Sequence, residues 1–340
     1  MNAPADVSPS EISELRWAVV GTGFVGSALE NHLRSRGFHV TKTSAPRLTA
    51  STQCTESSLL AAAERESAQA DELAVALRGA NVVINAAGVA KPGSSGDERL
   101  YGANALLPIV IRNAARKAGA SRMIHLSSVA AQGRRAVLDE SPAVSPFSPY
   151  SSSKAWGEAA LLAGIDRESG EGIETVIVRA TSVQGLSRPT TISLRRLAHS
   201  RASSVAGSGD APTVVSSIDG LVEFVEYAAT FGSTPPTIVI QPWEGASCAE
   251  VLRAAGGREP RHIPRGIARV VVTTSALLGR VLPTFASLAR RLELLWFGQK
   301  QVEGWGVETG FNVRPQRLLD LLGGDPVDIA PKDIDRKEES

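Results

Sequence analysis

Short apolar runs recur along the chain, and stretches of helical periodicity separate them. Arg16–Val20, His39–Thr43, Val82–Asn85, Met123–Leu126, Glu174–Arg179, Thr213–Ile218 and Thr237–Gln241 each read as a strand. The most apolar of them suit strands buried on both faces of a parallel sheet. Between the first two runs, Val25, Leu29 and Leu33 form a helical stripe that ends at Gly37. Glu98–Lys117 reads as a long helix, with Pro108 inside it and a kink expected there. Pro149 opens another helix that runs on through Ala155, Trp156 and Leu161. Ile192–His199 and Asp219–Ala229 also read as helices. Ser247–Glu250 forms a capping box for the next helix, and Pro264–Leu295 is helical with a break at Pro283. Residues 48–70 carry no clean strand, although Ser57–Glu66 is helical in character and Asp71–Leu77 reads as a short helix. Alternating strands and helices imply an α/β fold around a parallel sheet.

Ligands in open parallel sheets bind beyond the carboxyl ends of the strands. Three stretches fall there. The first is Gly21-Thr-Gly23-Phe24-Val25-Gly26, between a strand and a helix. Glycines in that setting let the backbone approach a pyrophosphate, and the helix start adds N–H donors. The second is Ala86-Ala87-Gly88, where small side chains leave room for a flat ring or a ribose. The third is Ser127-Ser128. The second strand ends in Thr43, Ser44, Ala45, Pro46 and Arg47, with no acid to hold ribose hydroxyls. Arg47 and Lys42 could meet a 2′-phosphate, which favours NADP modestly over NAD.

Tyr150 and Lys154 stand at i and i+4, one turn apart on one helix face. A positive charge beside a phenol favours the phenolate and suits it to give or take a proton near neutral pH. Ser128 could hydrogen-bond the same substrate oxygen.

Charge and composition narrow the rest. The chain has 340 residues, ample for a large core, and a net charge of +1, so no whole-chain field draws nucleic acid or acidic membranes. Two cysteines, Cys54 and Cys248, and five scattered histidines show no disulfide framework and no metal-ligand spacing. Both cysteines read as inert, and Trp243, Trp296 and Trp305 as packing. A reduced, cytoplasmic setting fits. Residues 1–15 read as a loose polar arm without the apolar core of a signal peptide, and 331–340 as a charged, disordered tail. The apolar stretch from Val270 to Phe297 is broken by Arg280, Arg290 and Arg291, so no stable membrane span is expected. Those arginines read as a solvated helix face whose apolar neighbours could pack against another subunit.

Taken together and in order, Gly23-Phe-Val-Gly26, Asn85-Ala-Ala-Gly88, Asn104, His125-Leu-Ser-Ser128, Tyr150-x-x-x-Lys154, Val178-Arg179 and Ser217-Ile-Asp219 resemble the extended short-chain dehydrogenase/reductase family of NAD(P)-dependent epimerase/dehydratase type. The resemblance covers roughly residues 16 to 325. It implies a Rossmann-type doubly wound parallel sheet over 16–185. It also implies a smaller C-terminal α/β substrate lobe over 186–330, part of which returns to the sheet. Tyr150 would be the general acid/base, Lys154 would hold the nicotinamide ribose, and Ser128 would orient the reacting oxygen, with Ser127 in support. Gly21, Gly23, Phe24, Val25, Gly26, Ser44, Arg47, Ala86, Ala87, Gly88, Lys154, Ala180 and Val183 would line the cofactor. Val89, Ser128 and Ser182 would face a small-molecule substrate, a nucleotide-sugar among the options.

Three departures bear on the activity. Val20 stands where the family's first glycine usually does. Val129, Ala130 and Ala131 replace the acidic residues of the dehydratases, so sugar dehydration is not expected. Ala211–Val215 lacks the arginine that holds a diphosphate. The implied activity is an NAD(P)-linked reduction of a ketone or oxidation of a secondary alcohol. The alternatives are an NAD-holding nucleotide-sugar 4-epimerase and a catalytically silent cofactor-binding sensor. Homodimers are common in the family.

Overall fold

The computed structural model describes residues 14–89, 97–167, 172–279 and 283–324. The proposed arm, apart from Glu14 and Leu15, and the charged tail lie outside them. The chain forms two compact units. The first takes in residues up to 181 together with 219–242 and 301–312. The second takes in 182–218, 243–300 and the residues from 313 on.

The first unit is built on a six-stranded parallel sheet. Its strands are β1 (Arg16–Val20), β2 (His39–Thr43), β3 (Val82–Asn85), β4 (Arg122–Ser128), β6 (Glu174–Ala180) and β10 (Ile238–Ile240), in spatial order β2-β1-β3-β4-β6-β10. A short strand β5 (Val137–Leu138) lies outside this sheet. Thr43, Val20, Asn85 and His125 form one row across the sheet, and β4 and β6 run on from it to the paired residues Ser128 and Ala180. Three extra residues carry Ser128 about 10 Å past that row.

Residues 56–76, read as helical at Ser57–Glu66 and Asp71–Leu77, are two helices, α2 (Glu56–Arg65) and α3 (Ser67–Ala76). Thr55 and Ser58 cap the first reciprocally. Leu59, Leu60, Ala63, Ala70, Leu73 and Leu77 bury a helical stripe in this Ala- and Leu-rich stretch. No strand follows β2 on its edge among the described residues. The long helix expected over 98–117 is three pieces: α4 (Glu98–Tyr101), a π-helical turn at Gly102–Leu106, and α5 (Leu107–Lys117). Pro108 sits in the first turn of α5, where its missing N–H costs little. The wide turn ahead of it takes up the misfit that a kink would otherwise absorb.

α6 (Pro149–Asp166) packs against α2, α5 and the π turn. A second group of helices is tied separately: His32 of α1 (Phe24–Ser35) meets Glu226 of α8 (Ile218–Thr230) at 2.6 Å. Trp305 is buried among Phe224, Tyr227, Phe231 and Phe311, a packing role.

In the second unit, β7 (Ser182–Gln184) pairs with β9 (Val215–Ser217), and β8 (Ser204–Ala206) with β11 (Arg261–Ile263). Around them stand α7 (Pro189–His199), α9 (Cys248–Gly256), α10 (Arg265–Leu278), α11 (Pro283–Phe297) and α13 (Pro315–Gly323). The α12 helix (Gly304–Glu308) belongs to the first unit. The capping box at Ser247 and Glu250 is present. Burial pushes the Cys248 thiol up to about 11 and raises that of Cys54, in keeping with inert cysteines. One expectation needs correction. Arg290 is not on a solvated face: it is buried, bonded to Glu293 at 2.8 Å and Gln299 at 3.1 Å. Arg280 lies outside the described residues.

Candidate active site

The site is assembled around α6. Ser148 and Ser151 form a reciprocal capping box, and Pro149 occupies the first turn. This fixes the register of Tyr150, Lys154 and Glu158, which follow at four-residue spacing along one face. Gly157 lets that face come close: a Cβ there would lie 2.2 Å from the backbone oxygen of Asn104 in the π turn. Asn104 itself is buried. Its Nδ2 donates to Val89 O at 2.9 Å and Ser153 Oγ at 3.0 Å, while its Oδ1 accepts from Val89 N at 3.0 Å. The π turn thus clasps the segment after β3 and ties it to α6.

Lys154 is buried, and its Nζ donates to Leu126 O at 3.0 Å, two residues before Ser128 on β4. Burial lowers its ammonium from 10.5 to about 8, with Glu158 opposing the drop. Gly88 has a φ of +154°, and a Cβ on it would approach Lys154 Nζ to 3.3 Å and Asn104 Oδ1 to 2.8 Å. Glycine therefore keeps open the space beside the amine. His125 lies beneath, held by Asn85 Nδ2 at 3.0 Å, and burial followed by the Lys154 charge keeps it neutral.

The two serines part company. Ser127 donates to Glu158 Oε1 at 2.5 Å. Ser128 turns the other way, its Oγ accepting from Ala130 N at 3.1 Å at the start of a short 3-10 turn. Glu158 also accepts from Arg179 Nη2 at 2.7 Å, with both side chains essentially inaccessible. Arg179 donates in turn to the backbone oxygens of Asp139 at 3.0 Å and Ser141 at 2.6 Å. Asp139 is desolvated, which raises its carboxyl, but bonds from Ser141 and Gln132 outweigh this and hold it at about 2. Tyr150 is half-buried at the edge of the core. Neither Glu158 nor Arg179 was proposed as a site residue, yet Glu158 continues the Tyr150–Lys154 spacing and could have been read from it.

On the other side of the sheet end, Gly21 has a φ of +122° and donates to Thr43 O at 2.9 Å. A Cβ on Gly21 would stand 2.7 Å from Ala87 N, and one on Gly26 2.0 Å from Gly21 O, so both positions require glycine. Gly23 has nothing within 4 Å of its absent side chain and caps α1 without a side-chain bond. Phe24 and Val25, both half-buried, open that helix. At the end of β2, Ser44 and Arg47 are exposed. Lys42 is ion-paired to Glu30, which also holds Arg34 at 3.0 Å. This leaves Arg47 as the cation there without a partner among the described residues. Ala180, half-buried, pairs with Ser128. Ser182, exposed, and Val183, buried, belong to the second unit and pair with Val215 and Ser216. Groups that could hold a metal ion are absent among the described residues.

Residues 18–227 match the family model for the NAD dependent epimerase/dehydratase family. No curated protein matches the chain. Solved structures do. UDP-glucuronic acid 4-epimerase from Bacillus cereus, in complex with NAD, is 17% identical with a TM-score of 0.60, over 92% of this chain and 97% of that one. The human epimerase family protein SDR39U1 (isoform 2), with NADPH, is 22% identical with a TM-score of 0.60, over 91% and 98%. A protein described as gox2253 is 21% identical with a TM-score of 0.62, over 91% and 96%. At these identities the likeness is one of fold. The family match is more specific, and the chain belongs to the NAD dependent epimerase/dehydratase family of enzymes.

Proposed function

We propose that this enzyme is an NAD(P)-linked oxidoreductase that reduces a ketone or oxidises a secondary alcohol, with Tyr150 as general acid/base. One observation carries the reading: the buried Lys154 amine is fixed to Leu126 O on the same helix face as Tyr150, and Gly88 leaves the space beside it open. The glycine pattern fits a dinucleotide. Gly21 and Gly26 admit no side chain, Gly23 is bare, and the first turn of α1 offers N–H groups without a side-chain cap. Gly21, Gly23, Phe24, Val25, Gly26, Ala86, Ala87 and Gly88 would hold the dinucleotide, with Lys154 on the ribose. Ser44 and Arg47 would take a 2′-phosphate, and Ala180 and Val183 would lie toward the nicotinamide. A bound nicotinamide cofactor supplies or accepts the hydride.

The protein's own groups handle the proton. In reduction, the Tyr150 hydroxyl gives its proton to the oxygen that was the carbonyl, and in oxidation the phenolate takes it back. Below pH 8 Lys154 is an ammonium, and its charge in a low-dielectric setting favours the phenolate. Neutral His125 adds no competing charge. Ser128 is the hydroxyl left to orient the substrate, because Ser127 is committed to Glu158. Substrate contacts are assigned to Ser128, Val89 and Ser182. The Bacillus cereus structure is a nucleotide-sugar enzyme by its description, and a nucleotide-activated sugar is the first substrate class to try.

The test is titration of the purified protein with NADPH and NADH by nicotinamide fluorescence, after the denatured supernatant has been checked for bound cofactor. Tighter binding of NADPH to an empty protein is the expected result. On any carbonyl substrate then found, Tyr150→Phe should lower turnover about 10²- to 10⁴-fold and leave cofactor affinity in place. Tightly held NAD would replace this reading with the 4-epimerase, and binding of neither cofactor would overturn it.

A further inference from the structure

We propose that the outer face of α10 is a docking surface for an anionic lipid bilayer. The α10 helix is apolar on two sides. One stripe faces inward: Ala268 is fully buried, and Val272 packs with it against the cluster of Ala206 and Trp296. The rest of the helix should then be polar. Instead Ile267 is 57%, Val270 66%, Leu277 51% and Leu278 49% exposed, with Val271 at 37%. These are half of the large apolar side chains exposed on the described residues, gathered on a single helix. Single exposed apolar residues need no explanation, but a contiguous row on one helix face does.

The charge around this row selects the partner. From Pro260 to Leu278 the chain carries three arginines and no Asp or Glu, against a net charge of +1 for the whole. All three, Arg261, Arg265 and Arg269, are exposed on α10 or just before it. The nearest preceding acid, Glu259, is bonded to Arg253 at 2.5 Å. An exposed apolar row on a helix whose polar side carries long basic side chains is the pattern that lies in a lipid interface and is drawn to acidic headgroups. Two copies of this chain meeting through the row would gain nothing from that charge. A helix of 14 residues also presents only about 200 Å², about 21 Å by 10 Å, where a stable dimer needs about 800 Å² per partner. Among the described residues no helix is long and apolar enough to cross a membrane, so the contact proposed is peripheral.

The experiment is co-sedimentation of the full chain with phosphatidylcholine vesicles that contain or lack phosphatidylglycerol. The protein should pellet with the anionic vesicles and remain in the supernatant with the neutral ones. Arg265→Ala combined with Arg269→Ala should weaken binding about 10- to 30-fold, at about one factor of five per basic residue. Val270→Asp should abolish it, and Leu277→Ser, a milder change on the same face, should weaken it if the aspartate variant fails to fold. Failure to pellet with either vesicle type overturns the proposal, as does equal binding to both. So does a Val270→Asp variant that still binds vesicles but loses a dimer by light scattering, since the face would then be a self-association surface.

Discussion

The two edges of the candidate site are built by opposite means. At the carboxyl end of β4 the shape comes from side chains. Lys154, Glu158, Arg179, Asn104 and Ser127 are buried and bonded to one another or to backbone oxygens. At the carboxyl end of β1 the shape comes from missing side chains, with Gly21 and Gly26 touching backbone and Gly23 bare. Chemistry at the first edge needs charges held still where water cannot screen them. Binding at the second needs backbone N–H groups within reach of a phosphate. Damage to the Glu158–Arg179 pair should therefore appear as lost stability, and damage to the glycines as lost cofactor affinity.

The sharpest way to break that distinction is Arg179→Met. It strips the buried Glu158 of its guanidinium partner, at a cost of about 3–5 kcal/mol in urea unfolding. The double variant that adds Glu158→Gln should recover much of the loss. A single-variant loss below about 1 kcal/mol would mean that the pair is not the clamp described.

Lys154→Met probes the same edge through pH. The folded amine titrates near 8 and the unfolded one near 10.5. Below pH 8 both states hold the proton, and the folded state bears the full cost of a buried ammonium. Between 8 and 10.5 the unfolded state binds more protons, so raising pH stabilises the native protein relative to the variant. The gap should close or reverse by about 3 kcal/mol across that window. A difference in stability that stays flat from pH 7 to 10.5 would show the amine to be better solvated than its geometry implies.

At the glycine edge, Gly26→Ala puts a Cβ 2.0 Å from Gly21 O, which forces the loop to shift. The stability cost should be about 1–3 kcal/mol. Fluorescence titration should show NADPH affinity falling by more than the fold stability does. An intact titration curve would detach this loop from cofactor binding.

How much of this was legible beforehand follows the range of the interactions. Every strand of the main sheet and the start of α6 were readable, because apolar runs and the helix-opening Pro149 act within a few residues. The Glu158–Arg179–Ser127 cluster was not, because it joins residues 21 and 31 apart in sequence through burial that no local pattern announces. The same reason hid Arg290, whose partners lie close in sequence but whose desolvation comes from packing. The π turn escaped for a subtler reason. Pro108 signals an interruption of the helix, but a sequence pattern does not tell a kink from a wide turn. Helices α2 and α3 were legible in outline, at Ser57–Glu66 and Asp71–Leu77, because their Ala-rich composition suits helix.

The smallest predicted effect tests cofactor choice. Lys42 is occupied by Glu30, so any preference for a 2′-phosphate rests on Arg47. Arg47 is exposed, and a surface charge of this kind contributes about 1 kcal/mol. Arg47→Ala should therefore weaken NADPH binding about fivefold, leave NADH binding unchanged, and lose its effect as salt is raised. If the variant weakens both cofactors equally, Arg47 supports the loop rather than reading the phosphate. If it changes neither, the end of β2 does not discriminate, and a preference for NADPH would have to come from backbone donors near Ser44. Either result would sharpen the contrast between the two edges, because the glycine edge would then bind its cofactor through backbone alone.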